Sequence, residues 1–187
     1  MKDYQIYRHL DHDFPYAGTG EIHIGTVESK RTEKAVMYLM YDKECYEKYN
    51  QHCLVLPDED PSSGETFPFV IMGDFYRSLF FENPRIFNVL AMHELGHYLN
   101  GDLTQEDSDG ITGADLRRMR IECIKNGEVM PEELNADIFA AEQCGWADFR
   151  DALNVLIRRR KERNDAGMEL AIREFELRKE HIMARFR

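Results

Sequence analysis

The stretch NPRIFNVLAMHELGHYLNG, residues 83 to 101, constrains this chain more than any other. Asn83 suits a helix cap, Pro84 a first helical turn and Gly101 a C-terminal stop, so the spacing predicts one helix over 84–100. Ile86, Leu90, His93 and His97 fall on one stripe of that helix, and Met92, Leu95 and Leu99 on another. A helix that is apolar on two sides must be central, and polar groups carried into such a position need partners. Gly96, in its middle, weakens the helix by about 0.5–1 kcal/mol relative to Ala. Its presence points to a second backbone, or a substrate, coming close.

His93 and His97 stand one turn apart on a shared face, with Cβ atoms about 5–6 Å from each other. Two imidazoles so placed can converge on zinc, which sits about 2.0–2.1 Å from each ligating nitrogen. Glu94 lies about 100° further round the helix, beside the metal position, where a general base would act on water. With 7 His and 20 Glu in 187 residues, a chance His-Glu-x-x-His arises in roughly one such chain in forty. The motif therefore carries weight only together with a third ligand.

The metzincin pattern needs Gly at 100 and His at 103, whereas this chain has Asn100 and Leu103. Asp102, five residues after His97 and just past the helix stop, is the weaker candidate. The better one lies in PEELNADIFAAE, residues 131 to 142. Pro131 opens a helix there, and Glu133, Ala136, Asp137 and Ala140 share one of its faces. The alanines let that helix press on the first. Glu133 can then complete a metal site, and Asp137 can accept a hydrogen bond from the distal nitrogen of a ligating histidine. The plainer meaning of Glu132 and Glu133 is that they complement the positive end of a helix dipole.

HELGH followed by ELNAD, within about residues 84–150, resembles the gluzincin metallopeptidases, in particular the ImmA/IrrE-like and HtpX-like families. The resemblance implies a zincin-like fold, zinc held by His93, His97 and Glu133, Glu94 as catalytic base and Asp137 as the supporting carboxylate. The chain departs from HtpX-like proteins in having no membrane helices. It also shows no helix-turn-helix of the kind that accompanies some ImmA/IrrE relatives.

Before Asn83 the pattern is of short extended segments. EIHIGTV (21–27) alternates, AVMYLMY (35–41) is a buried-type run, and CLVL and FPFVIM follow. Tyr41, Cys45, Tyr46 and Tyr49 also fall at helical spacing, so the segment after AVMYLMY can be read as helix instead. PDEDPSSGET (57–66) has loop composition. After Asn83 the period is helical, with helices near 84–100, 113–126, 131–144, 147–163 and 166–184. The expected fold is α+β: a small N-terminal β-sheet packed on a mainly helical C-terminal half that carries the active-site helix. At 187 residues with 43% hydrophobic content, residues 1–187 are read as a single domain.

The net charge of −11 is uneven, because residues 158–187 carry ten Lys/Arg against six Asp/Glu while the rest is strongly acidic. An acidic body argues against nucleic-acid binding. Cys45, Cys53, Cys123 and Cys144 form no CxxC pair, and the opening MKDYQIYRHLDHDF has no apolar signal-like run. No stretch approaches the roughly 18–20 apolar residues of a membrane span. A soluble protein of the reducing cytoplasm is expected.

These observations converge on a zinc peptidase that hydrolyses a peptide or protein substrate with Glu94 as base. An alternative is a zinc-containing regulatory or protein-binding module of a phage, toxin-antitoxin or stress system without proteolytic turnover, although a structural zinc site has no need of Glu94; a third is a zinc hydrolase of a non-peptide substrate, which the same metal and base could serve. The basic C-terminal helix at about 166–184 carries Met168, Ala171, Ile172, Phe175, Ile182, Met183 and Phe186 at near-helical intervals. It can pack on its own domain or dock a protein partner. For an oxyanion donor, spacing does not choose among Tyr98, His181 and several arginines. FPFVIM is a candidate edge for an extended substrate and equally a plain core strand. His9 and His12 could hold a second metal or lie solvated; His23 and His52 suggest no role. GDLTQEDSDG (101–110) lacks calcium-loop spacing and reads as a solvated loop.

Overall fold

The computed structural model describes residues 2–9, 22–49, 53–59, 66–102, 113–164 and 167–186. It has an α+β architecture in which the strands, interrupted by one short helix, precede the long helices. The chain divides into two compact units, Met1–Leu95 and Gly96–Arg187, and the division falls within one helix.

In the first unit, β1 (Tyr4–Arg8), β2 (Ile22–Ser29), β3 (Lys34–Tyr41), β4 (Cys53–Glu59) and β5 (Thr66–Met72) form a five-stranded sheet of order β1-β2-β3-β5-β4. Neighbouring strands are antiparallel except β3 and β5, which pair in parallel from Tyr38↔Phe69 to Tyr41↔Met72. Ile24, Val27, Met37, Leu39, Val70 and Met72 are buried almost completely. These β-branched and long apolar side chains suit a sheet face packed away from water. Gly25, facing Arg8 of β1, has no room for a side chain, since a Cβ there would come within 2.6 Å of the Tyr7 carbonyl oxygen.

The structure decides FPFVIM in favour of the plain core strand and moves part of an expected loop into a strand. FPFVIM is β5, paired by β3 on one side and β4 on the other, so its backbone groups are already engaged and it cannot be the substrate edge. The edges of the sheet are β1 and β4. Pro57, Asp58 and Glu59, expected in a loop, instead continue β4 in register with Pro68, Phe67 and Thr66 of β5, and residues 60–65 lie outside the described residues. After β3, Asp42 turns the chain: its side chain accepts from the Glu44 N–H at 2.8 Å, and its carbonyl accepts from the Cys45 N–H. The short helix α1 (Cys45–Tyr49) follows, so strand and helix both form, in sequence.

α2 (Asp74–Glu82) buries Leu79 and Phe80 and ends as the Asn83 N–H bonds back to the Leu79 carbonyl. α3 (Pro84–Asn100) starts at once. The Phe80 ring meets Phe81 and Phe87 edge-on at centroid distances of 4.9 and 5.0 Å, a favoured aromatic arrangement. Ile86, Phe87, Val89, Leu90, Ala91, Met92 and Leu95 are all buried, as a central helix requires, while Leu99 is 48% exposed. The second apolar stripe of α3 thus ends at Leu95.

In the second unit, α4 (Gly113–Lys125), α5 (Pro131–Cys144), α6 (Trp146–Arg163) and α7 (Met168–Arg185) follow the last turn of α3. Gly127, at φ 78°, closes α4 in the left-handed conformation that glycine adopts without a Cβ penalty. Gly145 alone separates α5 from α6. Ile124, Val129 and Leu177 form one apolar cluster with Leu134 and Leu170 against it. Ala136, Ala140, Ala152, Phe149, Leu153 and Ile182 are also buried. α7 packs on α4, α5 and α6, through a face made of Glu174, Leu177, Arg178 and Ile182.

Candidate metal centre

Three of the residues singled out from the sequence come together. His93, His97 and Glu133 each offer one ligand atom, and these atoms all lie within 4.8 Å of one another. Two imidazoles and a carboxylate are a donor set that zinc takes in catalytic sites with three protein ligands.

Local packing explains why Glu133 reaches this position. A Cβ on Gly96 would lie 3.0 Å from Ala136 Cα, 3.2 Å from the Ala136 carbonyl oxygen and 3.3 Å from Phe139 Cδ1. Glycine on α3 and alanine on α5 thus allow the two backbones into close contact. Ala136 lies three residues after Glu133, and Gly96 directly precedes His97. The second backbone implied by a mid-helix glycine is that of α5.

His97 is oriented by a residue to which the sequence reading gave only a weak ligand role. Its Nδ1 lies 2.9 Å from Asp102 Oδ2, both side chains being 14% exposed. A neutral imidazole that donates from Nδ1 to this carboxylate carries its lone pair on Nε2, the tautomer that suits metal ligation. Supporting carboxylates of this kind set the tautomer and ring angle of ligating histidines.

Asp137, the expected partner of a histidine, is fully buried. Both of its carboxylate oxygens accept from Arg178, Oδ2 from Nε at 2.7 Å and Oδ1 from Nη2. The third arm of the same guanidinium, Nη1, lies 2.9 Å from Glu133 Oε2. Burial opposes the charge on Arg178, but Asp137 and then Glu133 outweigh it and raise its pKa above the ordinary arginine value. Arg120 stands on the other side of Glu133, with Nη1 3.5 Å from Oε1 and Nε 2.7 Å from Glu174 Oε1. None of these partners was legible from spacing, because Arg178 stands 41 residues beyond Asp137.

Glu94 follows His93 on α3 and is partly buried. Burial, then the negative charge of Glu94, push the Cys53 thiol well above its usual range. The four cysteines are free thiols.

Elsewhere, the rings of His9 and His23 lie tilted with centroids 4.6 Å apart, and the Tyr38 ring centroid is 5.7 Å from that of His23. His12 and His52, and the acidic stretch beyond Asp102, lie outside the described residues. Among the oxyanion candidates, His181 is exposed on α7, Tyr98 is half-buried, and Arg120 is the arginine whose half-exposed side chain adjoins Glu133. Among the described residues no helix is long and apolar enough to cross a membrane. Comparisons with protein-family models, with curated proteins and with solved structures return no match to this chain.

Proposed function

We propose that this protein is a zinc-dependent peptidase of zincin-like fold, with Glu94 as its general base. The observation that carries the reading is the convergence of His93, His97 and Glu133 with a glutamate at the one position adjoining a ligand where a base is needed.

When bound at this site, zinc supplies a Lewis acid that polarises a carbonyl and lowers the pKa of water. His93, His97 and Glu133 are the residues to hold it, and Asp102 keeps His97 in the ligating tautomer. Glu94 takes the proton of the attacking water and passes it to the leaving amine, so no covalent intermediate with the protein is needed. β4, one of the two edges of the sheet, is the strand to receive an extended substrate. A peptide added there gains backbone hydrogen bonds and alternating side-chain positions.

The test combines metal content with cleavage. Untagged full-length protein is loaded with zinc, dialysed and analysed by elemental mass spectrometry beside His97→Ala, Glu133→Ala and Glu94→Gln. Each is then incubated with a diverse peptide mixture read by mass spectrometry. The expected result is near-stoichiometric zinc in the parent and in Glu94→Gln, loss in the other two variants, and cleavage by the parent alone. A folded parent that takes up no zinc overturns the reading. A zinc-loaded parent that cleaves no more than Glu94→Gln leaves the non-catalytic zinc module in its place.

A further inference from the structure

Glu133 does not stand alone on α5. It and Asp137 are one turn apart on the same helix, and one guanidinium spans both: Arg178 reaches Asp137 through Nε and Nη2 and Glu133 through Nη1. The Arg178 side chain is 7% exposed and that of Asp137 wholly buried, so the fork is held in a fixed place. From it we infer that Arg178 is a positioning residue for the metal centre, holding the Glu133 carboxylate in its ligating orientation while Asp137 anchors Arg178. The inference rests on the metal-site reading proposed above.

The geometry suits this role in three respects. A planar guanidinium presents its donors in a rigid fork, so seating two arms on Asp137 fixes where the third points. That third arm takes Glu133 Oε2 at 2.9 Å, while Arg120 Nη1 approaches Oε1 at the longer distance of 3.5 Å. A carboxylate offers about four lone-pair positions, so a guanidinium arm on Oε2 is compatible with metal ligation by the same side chain. Glutamate on a helix face otherwise samples several rotamers, and a ligand that must be ordered on binding binds more weakly. Lysine at 178 would keep the positive charge and lose the fork.

The test is zinc affinity by chelator competition, together with the visible spectrum of the cobalt-substituted full-length protein. Parent, Arg178→Lys and Asp137→Asn are compared, and both substitutions are repeated in a Glu133→Ala background. Zinc should bind about ten- to a hundredfold more weakly in Arg178→Lys and Asp137→Asn, with altered cobalt bands, and neither substitution should add to the loss already present in Glu133→Ala. Unchanged affinity and spectrum in folded Arg178→Lys would overturn the inference while leaving the metal site intact. Equal losses in both backgrounds would also overturn it, since the effect would not pass through Glu133. Failure of both single variants to fold would assign the trio to the fold and not to the site. A parent that binds neither ion would instead bring down the metal reading and this inference with it.

Discussion

His97 Nδ1 lies 2.9 Å from Asp102 Oδ2, five residues apart in sequence, across the end of α3 where Gly101 turns the chain at φ 79°. The contact ties the orientation of a candidate metal ligand to the conformation of a helix terminus. A left-handed glycine brings the next side chain back alongside the final turn.

Asp102→Ala should therefore weaken zinc binding about ten- to a hundredfold while changing stability little, since it removes one partly exposed side chain. Chelator competition gives the first quantity and urea denaturation the second. Zinc affinity equal to that of the parent would show that His97 needs no such orientation.

Gly96→Ala sets two effects against each other. Helix propensity favours alanine by about 0.5–1 kcal/mol, but the new methyl group would sit 3.0 Å from Ala136 Cα, a backbone atom that cannot swing aside. Overpacking of this kind costs about 1–3 kcal/mol, so the substitution should be destabilising overall, and Gly96→Val more so. Urea unfolding midpoints decide it. A stabilised Gly96→Ala protein would mean that α3 and α5 can separate without penalty.

Burial, and then the charge of His9, push the pKa of His23 below its ordinary 6.5, against a smaller upward pull from a backbone hydrogen bond at Gly25. The unfolded chain takes up this proton near pH 6.5 and the folded chain does so only at lower pH. Stability from this group is complete above the unfolded value and is lost as pH falls through it towards the folded one. An NMR titration of the histidine ring protons should show His23 with a depressed midpoint that moves up in His9→Ala. A midpoint at or above 6.5 in the parent would contradict the arrangement of the two rings.

Much of the architecture is written in local pattern. The boundaries of α3 and α5 follow from Pro84 and Pro131 at their starts and from glycine just past their ends, and the period of the apolar residues between them is helical. β2, β3 and β5 also show in their apolar runs. β1 and α2 do not. YQIYR is a short, largely exposed edge strand, and DFYRSLFFE spaces Phe75 and Tyr76 one turn from Leu79 and Phe80 over only nine residues, so each offers little pattern to read.

The sequence by itself determined which side chains could form the site: His93 and His97 because a helix repeats every 3.6 residues, Glu94 because it adjoins one of them, and Glu133 because it shares a face with small residues. Only the tertiary structure decided what holds them. It turned Asp102 from a doubtful ligand into the carboxylate at His97, and it supplied Arg178 from α7 as the partner of Asp137 and Glu133. It also placed β5 inside the sheet and left β4 at its edge. The reason is range: periodicity and capping act within a few residues, whereas an ion pair across 41 residues or the order of strands in a sheet is settled by which surfaces meet when the chain packs.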